Sequence, residues 1–149
     1  MLAMASSIHD NLLISYEVQC EARTITLRTE YRVPEKPTEF TKVIFEGVQG
    51  YRFENDAFGN IIFGLETVPV EYLLTEFRAA ISESYRLSGA PGAWAADLGL
   101  APEYLRQHGI KGFILSSSCG LSGWVLASKM SVFNAEPRVP TDGSLAKIL

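Results

Sequence analysis

The residues best suited to covalent chemistry lie in one glycine- and serine-rich stretch, SSSCGLSGW at 116–124. Cys119 and Ser122 are the candidate nucleophiles. Either one would need a general base within hydrogen-bonding reach, and the chain offers two histidines, His9 and His108. Because a histidine beside a cysteine or serine is a common arrangement for nucleophilic catalysis, a small hydrolase that uses these four residues is one functional hypothesis.

The same stretch has a simpler structural interpretation. It matches neither the cysteine-protease pattern C-G-[SA]-C-[WY] nor the G-x-S-x-G elbow. The residues after Ser122 alternate as a strand does, with Trp124 and Leu126 on one face. Gly120 and Gly123 would then supply the turn of a β-hairpin, and the serines would bond to its open ends. We expect a hairpin tip here, with an idle thiol.

A second candidate for chemistry is SSIHDN at 6–11, which places His9 next to Asp10. The pair could act as acid and base or as two metal ligands, but no H-x-x-H or C-x-x-C spacing accompanies it. In the structural alternative, Asp10 and Asn11 cap the start of the first strand and Ile8 lies under the sheet. The chain also lacks a phosphate-binding loop, so we expect no metal or other cofactor.

The chain shows no assembled catalytic or cofactor signature, so contact with another protein is the leading functional hypothesis. We expect a binding surface in which the SGAPGAW connector, the NDAFGN turn and the SCGLSG tip meet at one end of the sheet. Its contact residues would be Trp94, Asp56, Phe58 and Leu121, because exposed aromatic side chains often anchor partners. Alternatively, Trp94 fastens its connector onto the sheet. A third hypothesis is a small-ligand binder with a pocket between helix and sheet.

Composition limits these hypotheses. The chain has 149 residues, of which 47% are hydrophobic and 20% charged, with a formal net charge of −4. This balance is typical of one globular domain and gives no support to nucleic-acid binding, which usually needs a basic patch. No apolar run approaches the ~20 residues of a membrane helix, and no secretion signal is visible. With two distant cysteines, Cys20 and Cys119, we expect a cytoplasmic protein with free thiols and no membrane partner.

Hydrophobic periodicity predicts the elements that must position these residues. Period-two alternation predicts five successive strands at 12–20, 24–33, 39–48, 50–56 and 60–66. Helical spacing follows from Pro69 to Gly89, and a second, short helix is predicted at 101–109. Two more strands are predicted at 110–118 and 122–133.

These elements predict an α+β fold. We expect a mainly antiparallel meander sheet of about seven strands, with one long and one short helix packed on one face. A single domain would span residues 1–134, and 135–149 would form a peripheral tail.

Four motifs carry a resemblance to a known group of proteins: SSIHDN, VIFEGVQGYRFE, GNIIFGLE and SSSCGLSGWVLA. In this order they resemble a family of small uncharacterised β-rich proteins from plants and bacteria, over residues 6–130. The pattern is also loosely similar to bacterial polymorphic-toxin immunity proteins. The resemblance implies a stand-alone β-rich domain with an immunity- or defence-like role, in which it would bind and neutralise another protein. It implies no catalytic residue.

Overall fold

The computed structural model describes the main chain of residues 3–4 and the whole of residues 8–135. The strands of this part are β1 (Ala3–Met4), β2 (Leu12–Gln19), β3 (Thr24–Tyr31), β4 (Glu39–Glu46), β5 (Gly50–Glu54), β6 (Asn60–Val68), β7 (Lys111–Cys119), β8 (Ser122–Ala127) and β9 (Lys129–Asn134). The helices are α1 (Val70–Glu76), α2 (Arg78–Ser88) and α3 (Ala101–Gln107), and a 3-10 turn spans Ala93–Ala96. The predicted α+β class with an antiparallel sheet is confirmed.

All of the described strands belong to one sheet, in the order β5-β8-β7-β6-β2-β3-β4-β9, with β1 beside β6. β4 and β5 are two halves of one bent segment, 39–54, and β8 and β9 are two halves of another, 122–134. The two segments pair with each other, β4 with β9 and β5 with β8. Because they connect the two ends of the strand order, the sheet curls round into a closed ring.

The neighbours of β5 differ from the predicted meander. β2, β3 and β4 follow one another as expected, but β5 pairs with β8 instead of with β4 or β6. The predicted strand 122–133 is likewise two strands, which separate at Ser128. Alternation along the chain identifies each strand, whereas the partner depends on how distant segments close the ring.

The inner face of the ring is the main apolar core. Alternate residues of β3 and β4 point inward, so Ile25, Leu27 and Val43 are fully buried. Phe45 and Phe113 meet across the interior, edge to face, with ring centroids 5.4 Å apart. Ile8 is also buried in this core, as the sequence predicts.

The helices pack on the outer face of β7 and β8, where Trp124 and Leu126 join a second apolar cluster with Leu73 and Ile81. The predicted long helix is in fact two helices, because the backbone leaves helical geometry at Phe77 (φ −108°, ψ 19°). The Phe77 ring packs against Trp124, with centroids 6.3 Å apart. Trp124 of β8 therefore contacts the junction between α1 and α2.

The ends of the helices follow the sequence signals. Gly89 ends α2 in a left-handed conformation (φ 76°) and donates its N–H to Tyr85 O at 2.8 Å. Pro102 lies in the first turn of α3, as predicted. In the described residues, no helix is long and apolar enough to cross a membrane. The predicted tail beyond Ala135 lies outside the described residues.

Candidate functional site

One buried side chain joins the β5–β6 turn to the β7–β8 tip. Asn60 is 4% exposed, and its Oδ1 accepts the N–H of Ala57 at 3.0 Å and that of Leu121 at 2.8 Å. Its Nδ2 donates to Asp56 Oδ1 at 2.8 Å. Residues 55–59 and 116–122 therefore lie side by side at one end of the ring, and we call them together the tip surface.

The tip of 116–122 is a hairpin end, as the sequence predicts. β7 pairs with β8 from Lys111 and Ala127 to Leu115 and Gly123. Gly120 then turns the chain with a φ of +94°, and a Cβ there would lie 1.9 Å from Asn60 Oδ1. Only glycine fits both requirements. The stretch is therefore built to bend the backbone around an asparagine.

Asp56 organises the neighbouring turn. Its Oδ1 accepts the N–H of Phe58 at 2.9 Å, and its Oδ2 accepts the hydroxyl of Tyr16 at 2.9 Å. The hydrogen bond from Asn60, with those from Phe58 and Tyr16, lowers the pKa of Asp56 below its ordinary value. The bond to this carboxylate raises the pKa of Tyr16. Asp56 is thus a charged anchor for the turn at neutral pH.

The turn that Asp56 holds in place presents the side chain of Phe58 to solvent. Phe58 is 97% exposed and has a φ of +59°, a conformation that non-glycine residues rarely adopt. Phenylalanine is among the residue types that are most often fully buried. The turn therefore holds a bare aromatic ring away from the core on a hydrogen-bonded support. The sequence-predicted residues Asp56 and Phe58 are brought together here.

Leu121 was predicted as a contact residue, and the structure contradicts this. It is 1% exposed and belongs to the core of the ring. The bond from its N–H to Asn60 and the turn at Gly120 direct the side chain inward. A turn position in sequence does not reveal such an inward-facing residue.

Trp94 lies apart from the tip surface. It is half-buried, and its Nε1 donates to Gln49 O at 3.4 Å, at the bend between β4 and β5. Gln49 and Asn55 bracket the opposite ends of β5, and at about 3.3 Å per residue these ends are on the order of 20 Å apart. The alternative interpretation, in which Trp94 fastens its connector onto the sheet, describes this contact. Of the three segments that were expected to meet at one end of the sheet, the NDAFGN turn and the SCGLSG tip lie together, and the SGAPGAW connector lies apart from them.

The two histidines bond to main-chain carbonyls. His9 Nδ1 contacts Phe63 O on β6, and its Nε2 lies 3.6 Å from Asp10 Oδ2. His108 Nδ1 lies 2.7 Å from Tyr104 O, at the end of α3. These contacts hold His9 against β6 and His108 against α3.

Cys119 and Ser122 receive no base from either histidine. Cys119 is exposed and pairs through its main chain with Ile61, and Ser122 pairs with Glu54 of β5. Within the described chain, no hydrogen bond joins either nucleophile to His9 or His108, and no cluster of His, Cys, Asp and Glu could hold a metal ion. The four residues of the hydrolase hypothesis are not assembled.

A second feature, which the sequence did not suggest in detail, is a cleft between α2 and the outer face of β5 and β8. It consists of two adjoining hollows, of about 240 Å³ and about 330 Å³, which share Arg52, Ala80 and Trp124. Arg52 and Trp124 are direct cross-strand neighbours, so they share one face of the sheet. This pairing joins distant parts of the chain, and for that reason the sequence alone does not reveal it.

Trp124 has an unusual environment within this cleft. It is 3% exposed, and its Nε1 is buried without a hydrogen-bond partner among the described residues. A buried donor without a partner costs about 1–3 kcal/mol of folding stability. Nearby, Arg52 Nε donates to the Glu54 carboxylate, while no hydrogen bond of the described chain uses its two terminal amino groups.

Comparison with protein-family models, curated proteins and solved structures gives no match for this chain. The resemblance to small plant and bacterial proteins therefore stays a prediction.

Proposed function

We propose that the chain is a non-enzymatic protein-binding module whose contact surface is the tip surface. The observation that carries the proposal is the 97% exposure of Phe58 on a hydrogen-bonded turn. Aromatic side chains dominate the binding energy of protein interfaces, and a support that is already ordered loses little conformational entropy on binding. Phe58 would act as the central anchor.

The chemistry of the tip surface specifies the partner. The Phe58 ring requires an apolar pocket, and the neighbouring Asp56 carboxylate, whose lowered pKa keeps it ionised, favours a cationic group at the pocket rim. The formal net charge of −4 would assist encounter with a basic partner. Such a partner suits the immunity- or defence-like role that the resemblance implies, in which the domain would cover a surface of another protein.

The test compares immobilised wild-type protein with Phe58→Ala and with a control, Leu100→Ala, in native extract. Leu100 is 68% exposed and lies at the start of α3. We expect a protein that the wild type and Leu100→Ala retain and Phe58→Ala loses. With the purified partner, Phe58→Ala should weaken binding by about 30-fold, which corresponds to about 2 kcal/mol.

Two results would count against the proposal. In the first, a partner binds Phe58→Ala as tightly as the wild type, so that the anchor lies elsewhere. In the second, repeated capture from extract recovers no protein that is enriched over the control matrix. Both variants should keep the wild-type circular dichroism spectrum, because an exposed side chain contributes little to stability.

A further inference from the structure

We propose that the smaller hollow under α2 binds a small, flat apolar molecule that carries a carboxylate. Its ring would occupy the hollow beside Pro91, and its carboxylate would pair with the guanidinium of Arg52. This site is separate from the tip surface, so the inference goes beyond protein contact.

The size and lining of the hollow determine the body of the ligand. Its volume is about 240 Å³, whereas a cavity of about 150 Å³ already holds benzene. There is thus room for a molecule with one or two rings. Ile81, Pro91 and Trp124 provide apolar surface. A Cβ at Gly50 would lie 2.6 Å from Pro91 Cβ, so a glycine here allows Pro91 to close one wall.

The charges of the hollow determine the polar group of the ligand. Arg52 is the one charged residue among those that line it, and Ser84 adds a hydroxyl. The bond to Glu54 uses only Nε of Arg52, so its terminal amino groups are available within the described chain. A guanidinium binds a carboxylate through two parallel hydrogen bonds, which gives both affinity and orientation.

The unpaired N–H of Trp124 is an independent sign that this place is not built for stability alone. A phenylalanine would cover the same floor without burying a polar atom that has no partner. Departures from local stability rules are expected mainly at functional sites.

The test is a titration of the ¹⁵N-labelled full chain with 2-naphthoate, followed by the two indole N–H signals in ¹H–¹⁵N spectra. The chain has two tryptophans, and Trp94→Phe assigns the signals. We expect the Trp124 signal to shift to saturation at millimolar probe while that of Trp94 stays in place. Arg52→Gln should weaken binding at least about tenfold, the loss expected for a charged hydrogen-bonding group.

The matched control is Arg32→Gln. Arg32 also pairs with a glutamate two positions away, Glu30, but it lies outside the cleft. It should leave the titration unchanged. Ala80→Leu, which fills the hollow from α2, should abolish binding while the other amide signals keep their native dispersion. Phe58→Ala should bind the probe as the wild type does, so that failure of this site and failure of the tip surface remain distinguishable.

Three outcomes would overturn the inference. The first is an unmoved Trp124 signal at saturating probe. The second is equal affinity for the neutral analogue 2-naphthylmethanol, which would remove the role of Arg52. The third is a titration that Ala80→Leu does not alter, because the probe would then bind outside the hollow.

Discussion

Asn60 Oδ1 accepts the N–H of Leu121 at 2.8 Å, so one buried amide ties the turn after β5 to the tip after β7. The same side chain donates to Asp56, which in turn bonds the N–H of Phe58. The support of the exposed ring therefore reaches back to a residue that is 4% exposed. The proposed anchor is held by the fold although its own side chain contacts little of it.

Substitution of Gly120 tests this link. Gly120→Ala should lower the free energy of unfolding by about 1–3 kcal/mol, because alanine is strained at a positive φ. Its Cβ would also press on Asn60 Oδ1, which cannot move without losing two hydrogen bonds. Urea unfolding measures the change. As a control, Gly59→Ala meets no atom within 4 Å and should change stability by less than about 0.5 kcal/mol. Equal effects of the two substitutions would refute the link.

The hydrogen bonds that Asp56 accepts from Asn60, Phe58 and Tyr16 make stability depend on pH. The folded state lowers the pKa of Asp56, so this stabilisation is complete above the unfolded pKa of about 3.9 and is lost as pH falls through the folded value. The folded state raises the pKa of Tyr16, so its share is complete below about pH 10 and is lost as pH rises further. Asp56→Asn should therefore be less stable than the wild type between these limits, and the difference should shrink in acid.

Thermal unfolding across this pH range measures the difference. Tyr16→Phe should show a smaller deficit that declines at both ends of the range, because it removes only one of the three bonds to Asp56. Glu39→Gln changes an exposed carboxylate that makes no hydrogen bond in the described chain, and it serves as the control. A deficit of Asp56→Asn that persists unchanged in strong acid would show that the charge of Asp56 does not matter.

Because the sheet closes into a ring, we expect its folding stability to depend strongly on the aromatic pair in its interior. Phe113 is 2% exposed and meets Phe45 inside the ring. Phe113→Ala should lower the free energy of unfolding by about 3–5 kcal/mol, the usual cost of emptying such a core position. Phe133→Ala on β9, where the ring is 46% exposed, should cost less than about 1 kcal/mol. A small loss for Phe113→Ala would mean that the two halves of the sheet do not pack on each other.

The sequence predicts the strands well because alternation is a local property. The segment Thr24–Tyr31 reads as a strand from its own residues, and its partner β4 follows along the chain. By contrast, the pairing of β5 with β8 closes the ring between distant segments, and no local pattern encodes it. The sequence does not predict the break between α1 and α2 at Phe77 either, because helical spacing continues across it. The contact of Phe77 with Trp124 is tertiary.

The same distinction explains the site predictions. Asp56 and Phe58 are predicted as contact residues because a turn exposes its residues, and the Phe58 ring is 97% exposed. Leu121 also lies in a turn, but its N–H donates to the distant Asn60 and its side chain lies in the core. The sequence does not predict that Arg52 and Trp124 line a common cleft, because this cleft depends on strand pairing and on the position of α2. Position in a turn therefore does not by itself predict exposure.

In the described chain neither histidine forms a hydrogen bond with Cys119, and this predicts ordinary thiol chemistry. A fast-reacting cysteine needs a neighbouring cation or base, and in the described chain neither Cys119 nor Cys20 is bonded to one. With iodoacetamide at neutral pH, Cys20→Ser and Cys119→Ser, which leave one thiol each, should be alkylated at rates within about tenfold of each other. Mass spectrometry of timed samples measures both rates. If Cys119 reacted far faster and His9→Ala abolished that advantage, the hydrolase hypothesis would return and the tip would be a catalytic site.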